Sequence, residues 1–112
     1  MAIVHPPGAA FTLVSDDQIL IEPSNGALEM TPPSAIAGRL EVRGLGIFTF
    51  PFQKRACIRL IVRLTGDPIE RLPDTNDLVE YMHKQAVRRI WLNPFEASAP
   101  AKIALALNRL TL

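Results

Sequence analysis

The chain has 112 residues, of which 48% are apolar, enough for one domain with a modest core. Twelve basic and eleven acidic side chains give a net charge of +1 with no continuous basic patch, so the composition does not favour nucleic-acid binding. The single cysteine, Cys57, excludes an intramolecular disulfide framework and a cysteine-based zinc site, and its place in an alternating apolar run predicts a buried thiol.

The chain lacks the sequence features of a membrane or secreted protein. No apolar run reaches the roughly 18 residues of a membrane-spanning helix. The N-terminal residues MAIVHPPGAA lack the charged start and the length of a signal peptide, so we expect a cytoplasmic protein. Ten prolines favour short elements over long helices and predict a β-rich architecture.

The first predicted strand, residues 11–14, ends at an acidic turn that contains Asp16 and Asp17, and a second strand starts at residue 18. Paired carboxylates at a strand end suit a site for Mg²⁺ and phosphate, although aspartate is also common in solvated turns. A like-charged neighbour raises the proton affinity of one carboxylate, which suits a general base. The dipeptide Asn25-Gly26 next predicts a tight hairpin, and residues 31–38 predict a loop that stops at glycine.

Residues 40–50, LEVRGLGIFTF, predict a strand, a glycine turn and a second strand. Glu41 and Arg43 share a parity and are expected on one face of the first strand. Opposite charges beside a glycine turn suit a metal or phosphate site. The alternative is a surface ion pair beside a β-bulge.

The second half of the chain predicts three strands and a terminal helix. Residues 55–65 alternate most clearly, with arginines at 55, 59 and 63 that either face an anionic partner or protect an exposed edge. Residues 66–74 predict a loop, and residues 78–82 and 87–92 predict two further strands. A helix should follow, with Ser98 as N-cap, Pro100 in the first turn, and Ile103, Leu107 and Leu110 on one apolar face.

Two segments resemble the bacterial HPr kinase/phosphorylases, which phosphorylate and dephosphorylate a serine of the phosphocarrier protein HPr. Residues 41–47, EVRGLGI, reproduce the family signature, which is close to E-[IV]-R-G-L-G-I, without a mismatch. The segment LVSDDQILIE resembles the family's L-[IV]-[AS]-D-D, at the expected distance before the signature. The resemblance covers about residues 12–107. It implies an α+β, β-rich fold over the single domain 1–112, a mixed sheet of short strands with a C-terminal helix, like part of a P-loop kinase-like catalytic domain.

The resemblance also implies roles for particular residues. Asp17 would be the general base that takes the serine proton, and Asp16 and Glu41 would hold Mg²⁺. Arg71, in the loop sequence Glu70-Arg71-Leu72, would stabilise charge on phosphate oxygens, although a solvated loop arginine fits the same pattern. Arg43, Gly44, Leu45 and Gly46 form the signature loop.

The resemblance names ATP and Mg²⁺ as cofactors, HPr as partner, and a homo-oligomer, since the family is hexameric. Lys102 would supply the positive charge of the loop used in the phosphorylase reaction. The family's phosphate loop, G-x-x-G-x-G-K-[ST], has no counterpart in MAIVHPPGAAFT, where Gly8 stands alone and His5 has no clear family equivalent. Without that loop and its lysine, we expect little ATP turnover from these residues alone.

Three interpretations follow. The first is a short-form enzyme that phosphorylates HPr in the phosphotransferase system and so regulates carbon and nitrogen use. The second is a non-catalytic β-rich interaction module that has lost nucleotide binding. The third is an interaction domain unrelated to HPr.

Overall fold

The computed structural model describes residues 1–4 and 11–110. His5 and Gly8 therefore lie outside the described residues. The structure is α+β and strand-rich, with one mixed sheet and one C-terminal α-helix, as the sequence predicts. By its internal contacts the chain forms two compact units, Met1–Cys57 and Ile58–Leu112.

The first unit contains seven described strands in three small antiparallel sheets, paired β1–β2, β3–β4–β7 and β5–β6. A short 3-10 helix, Ser34–Ile36, precedes β5. The sequence pattern did not predict the first strand, which precedes the apolar run at residues 11–14. The strands are β1 Ala2–Val4, β2 Thr12–Ser15, β3 Leu20–Ser24, β4 Ala27–Thr31, β5 Arg39–Val42, β6 Gly46–Thr49 and β7 Ala56–Cys57.

The hairpin between β3 and β4 has the tight turn that Asn25-Gly26 predicts. Both residues have positive φ, 49° and 78°, and Ser24 pairs with Ala27 across the turn. Two positive φ values in a two-residue loop define a type I′ turn, whose twist matches that of the flanking strands. Leu28 and Met30 of β4 are buried in the core of this unit, together with Leu13 and Val14 of β2.

The second unit is built around β10 Gln85–Leu92, the central strand of a mixed sheet. β8 Leu60–Leu64 lies parallel to it, and β9 Val79–Met82 lies antiparallel. A 3-10 helix, Thr75–Leu78, leads into β9. The helix α1 Ala99–Arg109 follows the sheet and contacts β8.

Residues of β10 and of the helix form the core of this unit. Helical spacing places Ala99 and Ala106 on one side of α1, and both are buried. Pro100 lies in the first turn as predicted, where its missing N–H leaves no intrahelical bond unmade. Ser98 occupies the N-cap position, but its side chain makes no capping hydrogen bond. The buried apolar residues are Val87, Ile90, Leu92, Ala99 and Ala106.

Residues 55–65 do not form the single strand that their alternation predicts. The chain forms the two-residue β7, leaves it, and then forms β8. β7 pairs with β4 and β8 pairs with β10, so one apolar run serves two sheets. Side-chain alternation reports which face is apolar and does not identify the pairing strand. The predicted burial of Cys57 is also wrong, because this thiol is exposed.

Candidate functional site

The acidic pair lies in a bend directly after β2. Ser15, the last residue of that strand, is fully buried, and its Oγ donates a hydrogen bond to the carbonyl oxygen of Gln18. This bond spans the bend, so Asp16 and Asp17 are held at its apex instead of within a strand. Asp16 is half-buried and Asp17 is exposed. The buried serine satisfies its hydroxyl locally, as a polar group in a core requires.

The signature segment forms the β5–β6 hairpin. Glu41 lies in β5, whereas Arg43 lies in the turn beyond the strand, so the predicted common strand face for these two side chains is wrong. Leu45 N donates to Val42 O over 2.9 Å, and Gly44 has φ +83°. A positive φ at the third turn position alone is the geometry of a type II turn, which glycine adopts without strain. Among the described ion pairs none joins Glu41 to Arg43, so the alternative of a surface ion pair is not observed.

A hydrogen bond joins the acidic bend to the signature strand. The backbone N–H of Glu41 donates to Oδ2 of Asp16 over 3.3 Å, across 25 positions of sequence. The contact brings together the two segments that carry the family resemblance. A carboxylate that accepts a backbone N–H keeps its second oxygen and its remaining lone pairs for another ligand.

The acidic bend and the signature strand together contribute few carboxylates. Within residues 1–4 and 11–110, no group of three or more His, Cys, Asp or Glu side chains is arranged to hold a metal ion. Mg²⁺ in phosphoryl-transfer sites takes one or two protein carboxylates, with water and substrate phosphates as its other ligands. The side chains of Asp16 and Glu41 supply oxygen ligands of the kind that Mg²⁺ prefers.

The remaining predicted site residues, Arg71 and Lys102, lie in the second unit. Both line a largely apolar cleft with a volume of about 930 Å³ between the loop 66–73 and α1. Arg71 is exposed, in the loop that the sequence predicts. Lys102 Nζ lies 2.6 Å from the Glu96 carboxylate, and this ammonium group holds the pKa of Glu96 below its usual value. The structure thus places Arg71 and Lys102 at one cleft.

A second charged cluster spans the mixed sheet. Arg63 donates two hydrogen bonds to the Glu80 carboxylate, from Nε over 3.0 Å and from its terminal nitrogen. This paired bond lowers the pKa of Glu80 and raises that of Arg63. Arg89 also approaches Glu80, donates to Asp77 O over 2.9 Å and stacks over the Trp91 ring at 5.2 Å. Because Arg63 is paired with Glu80, we interpret this arginine as structural and not as part of a strip that faces an anionic partner.

Sequence reasoning missed two features of the second unit. The apolar cleft could not be predicted from the sequence, because the loop and the helix that form it lie far apart in the chain and neither contains a motif. Phe95 is 94% exposed in the turn before α1, and Pro94 beside it was the available signal for a rigid turn.

Searches with the sequence found no matching family model and no matching curated protein. A search with the structure found the HPr(Ser) kinase/phosphatase from Coxiella burnetii, with a TM-score of 0.70 and 21% sequence identity over 88% of this chain and 67% of that one. The likeness is one of fold. It agrees with the fold class predicted from the sequence. The described residues include no helix with the length and hydropathy of a transmembrane span.

Proposed function

We propose that this chain is an HPr(Ser) kinase/phosphorylase-like catalytic domain, which takes part in phosphorylation of a serine on HPr in the cytoplasm. The observation that carries the proposal is the hydrogen bond from Glu41 N to Asp16 Oδ2. It joins the aspartate pair to the glycine signature, the two segments that resemble the family. The likeness of fold to the HPr(Ser) kinase/phosphatase also supports the proposal.

The proposed chemistry assigns Asp17 as the general base. Its carboxylate is exposed at the apex of the bend, where a serine hydroxyl of a partner protein can reach it. A base accepts the hydroxyl proton as the serine oxygen bonds to the γ-phosphorus of ATP and the bond from that phosphorus to the ADP oxygen breaks, so that ADP leaves. Such a base increases the rate by about 10²–10⁴-fold in comparable sites. In the reverse direction, the same group returns the proton to the serine oxygen.

Asp16 and Glu41 are the residues that would hold Mg²⁺. When bound there, Mg²⁺ would neutralise the negative charge that develops on the phosphate oxygens. The Glu41 N–H contact orients the Asp16 carboxylate, and the type II turn at Gly44 ends the strand that carries Glu41. Arg71 is assigned as a cation for phosphate oxygens, a task that suits a planar and permanently charged group. Lys102 is assigned to the phosphorylase direction.

ATP is the proposed phosphoryl donor, and the 112 residues contain no G-x-x-G-x-G-K-[ST] segment to hold its phosphates. Calorimetric titration of this chain with MgATP should therefore show little binding. Binding in the micromolar range would contradict that expectation.

Binding to HPr tests the proposed partner without requiring ATP. Titration of the chain with HPr should give saturable binding, and Asp17→Asn should alter it little, because a base contributes mainly to the transition state. Absence of binding to HPr, together with unchanged activity of the full gene product after Asp17→Asn and Glu41→Gln, would favour an unrelated interaction domain. Binding to HPr without phosphoryl transfer by the full gene product would favour the non-catalytic module.

The family resemblance further supports a homo-oligomer.

A further inference from the structure

A buried serine closes the bend that carries the acidic pair. Ser15 has no solvent-exposed surface. Its Oγ donates to the carbonyl oxygen of Gln18, so the bond spans Asp16 and Asp17. A buried hydroxyl that lost its partner would cost free energy, because water cannot reach it to replace the bond. The burial of Ser15 therefore favours the closed bend over open arrangements of the same residues.

Ser15 is a fixed anchor, whereas the residue that it bonds is not. It is the last residue of β2, and Leu13 and Val14 of the same strand are buried. A side chain on a close-packed strand has little freedom to move. Gln18 is exposed and precedes the start of β3 at Leu20. The bond thus ties a segment between two strands to the core of the first unit.

A second anchor reaches the bend from β5. The backbone N–H of Glu41 donates to Asp16 Oδ2 over 3.3 Å. This bond holds the side chain of Asp16, whereas the Ser15 bond holds the backbone on both sides of the pair. The direction in which Asp17 projects follows from that backbone, so it depends on Ser15.

We propose that Ser15 is a positioning residue for Asp17. Its buried hydroxyl fixes the bend and so directs the Asp17 carboxylate toward the serine hydroxyl of the partner protein. The inference rests on the proposed function, in which Asp17 is the general base. Because Ser15 donates to a backbone carbonyl, it acts on the geometry of the base and does not contact the carboxylate.

Steady-state kinetics of HPr phosphorylation by the full gene product test the proposal. Ser15→Ala removes the hydroxyl and should lower kcat per folded molecule at least about tenfold, because a misplacement of about 1 Å can cost 10²-fold. The KM for HPr should stay within about twofold, since the binding surface is unchanged. Alanine also occurs at this position of the segment L-[IV]-[AS]-D-D, so we expect the variant to fold. Far-UV circular dichroism verifies this, and Ser15→Cys, with a similar shape and a weaker donor, replaces it if it does not fold.

Ser15→Thr separates positioning from a general effect on stability. It keeps the hydroxyl and should retain kcat within about threefold of wild type, while its extra methyl group in a buried position should lower the midpoint of thermal unfolding more than Ser15→Ala does. The rate should thus follow the hydroxyl, and the stability should follow the buried volume. A merely structural role gives the opposite order, with the less stable variant also the slower one.

A double variant tests whether Ser15 acts through Asp17. In the Asp17→Asn background, Ser15→Ala should change kcat by less than about twofold, because no base remains to be positioned. Thr12→Val is the matched control, since it removes a hydroxyl from the same strand, and its kcat should stay within about twofold of wild type.

Backbone mobility tests the bend without ATP or HPr. Nitrogen-15 relaxation of the 112-residue chain gives order parameters for the amides of Asp16 and Asp17. They should be near about 0.85 in wild type and should fall below about 0.6 in Ser15→Ala.

Three results would overturn the proposal. They are an unchanged kcat for Ser15→Ala in a gene product that phosphorylates HPr, an equal loss in the wild-type and Asp17→Asn backgrounds, and unchanged order parameters in the bend. A gene product that does not phosphorylate HPr would instead refute the proposed function. The order parameters would then decide by themselves whether Ser15 holds the bend.

Discussion

Replacing Gly38 by alanine should destabilise the first unit strongly. Gly38 is buried just before β5 and has φ +76°, a conformation that costs an L-residue about 1–2 kcal/mol. A Cβ at this position would lie 2.9 Å from Phe52 Cδ1 and 3.2 Å from Phe50 O. The second neighbour is backbone, and Phe50 N donates to Gly38 O over 2.8 Å, which holds the two segments together.

The magnitude follows from two separable contributions. Backbone strain lowers the free energy of unfolding by about 1–2 kcal/mol, and alanine recovers roughly 0.4–1 kcal/mol because it restricts the unfolded chain. The net loss from the backbone is about 1 kcal/mol. Steric overlap with the Phe52 ring and the Phe50 carbonyl adds about 1–3 kcal/mol. Gly38→Ala should therefore lower the free energy of unfolding by about 2–4 kcal/mol, a large share of the roughly 5–15 kcal/mol typical of a domain.

Two other glycines provide matched controls. Gly26 has φ +78° and open space within 4 Å of the position that a Cβ would take, so Gly26→Ala isolates the backbone strain and should cost about 1 kcal/mol. Gly66 has neither positive φ nor a close neighbour, and Gly66→Ala should be neutral within about 0.5 kcal/mol. Urea denaturation followed by far-UV circular dichroism gives the three values, with an unchanged slope expected. Equal losses for Gly38→Ala and Gly26→Ala would refute the steric contribution.

Two further predictions concern the second unit. His83 and Lys84 form the β9–β10 turn with φ 46° and 63°, so Lys84→Gly should raise the free energy of unfolding by about 1 kcal/mol in thermal denaturation, and no gain would contradict the assigned strain. The hydrogen bond from Arg63, with a further contribution from Arg89, lowers the pKa of Glu80 in the folded protein. The stability that this group contributes is therefore complete above its unfolded-state pKa of roughly 4.3, and it is lost as the pH falls through the folded-state pKa. Wild type should therefore exceed Glu80→Gln in stability at pH 7 by more than at pH 3, and a constant difference across that range would refute the linkage.

Local rules predicted the elements whose structure depends on neighbouring residues. Asn25-Gly26 forms its type I′ turn because both residues tolerate positive φ, whatever surrounds them. The glycines of residues 44–46 likewise lie at a turn between two strands, and Pro100 lies in the first turn of the helix. The turns follow from backbone sterics. The position of the proline follows because N–H groups in the first helical turn have no partner within the helix.

Features that depend on distant partners were not predictable in this way. The run of residues 55–65 divides between two sheets, since β4 pairs with its first part and β10 with its second, and both partners lie far along the chain. The exposure of Cys57 follows from the same division. The acidic bend was predicted from its residues, but its contact with β5 over 25 positions was not. The cleft beside α1 arises from packing of a loop against a helix and carries no sequence pattern.

Phosphorylation of HPr by the full gene product tests the central claim most directly. The serine phosphate formed on HPr in the presence of MgATP would be quantified by mass spectrometry for wild type, Asp17→Asn and Glu22→Gln. Glu22 is an exposed acid in β3 and serves as the control. We predict that wild type and Glu22→Gln phosphorylate HPr equally, and that Asp17→Asn is slower by about 10²-fold or more, as expected for loss of a general base. Equal rates for Asp17→Asn and wild type would contradict the assignment of this bend as the catalytic site.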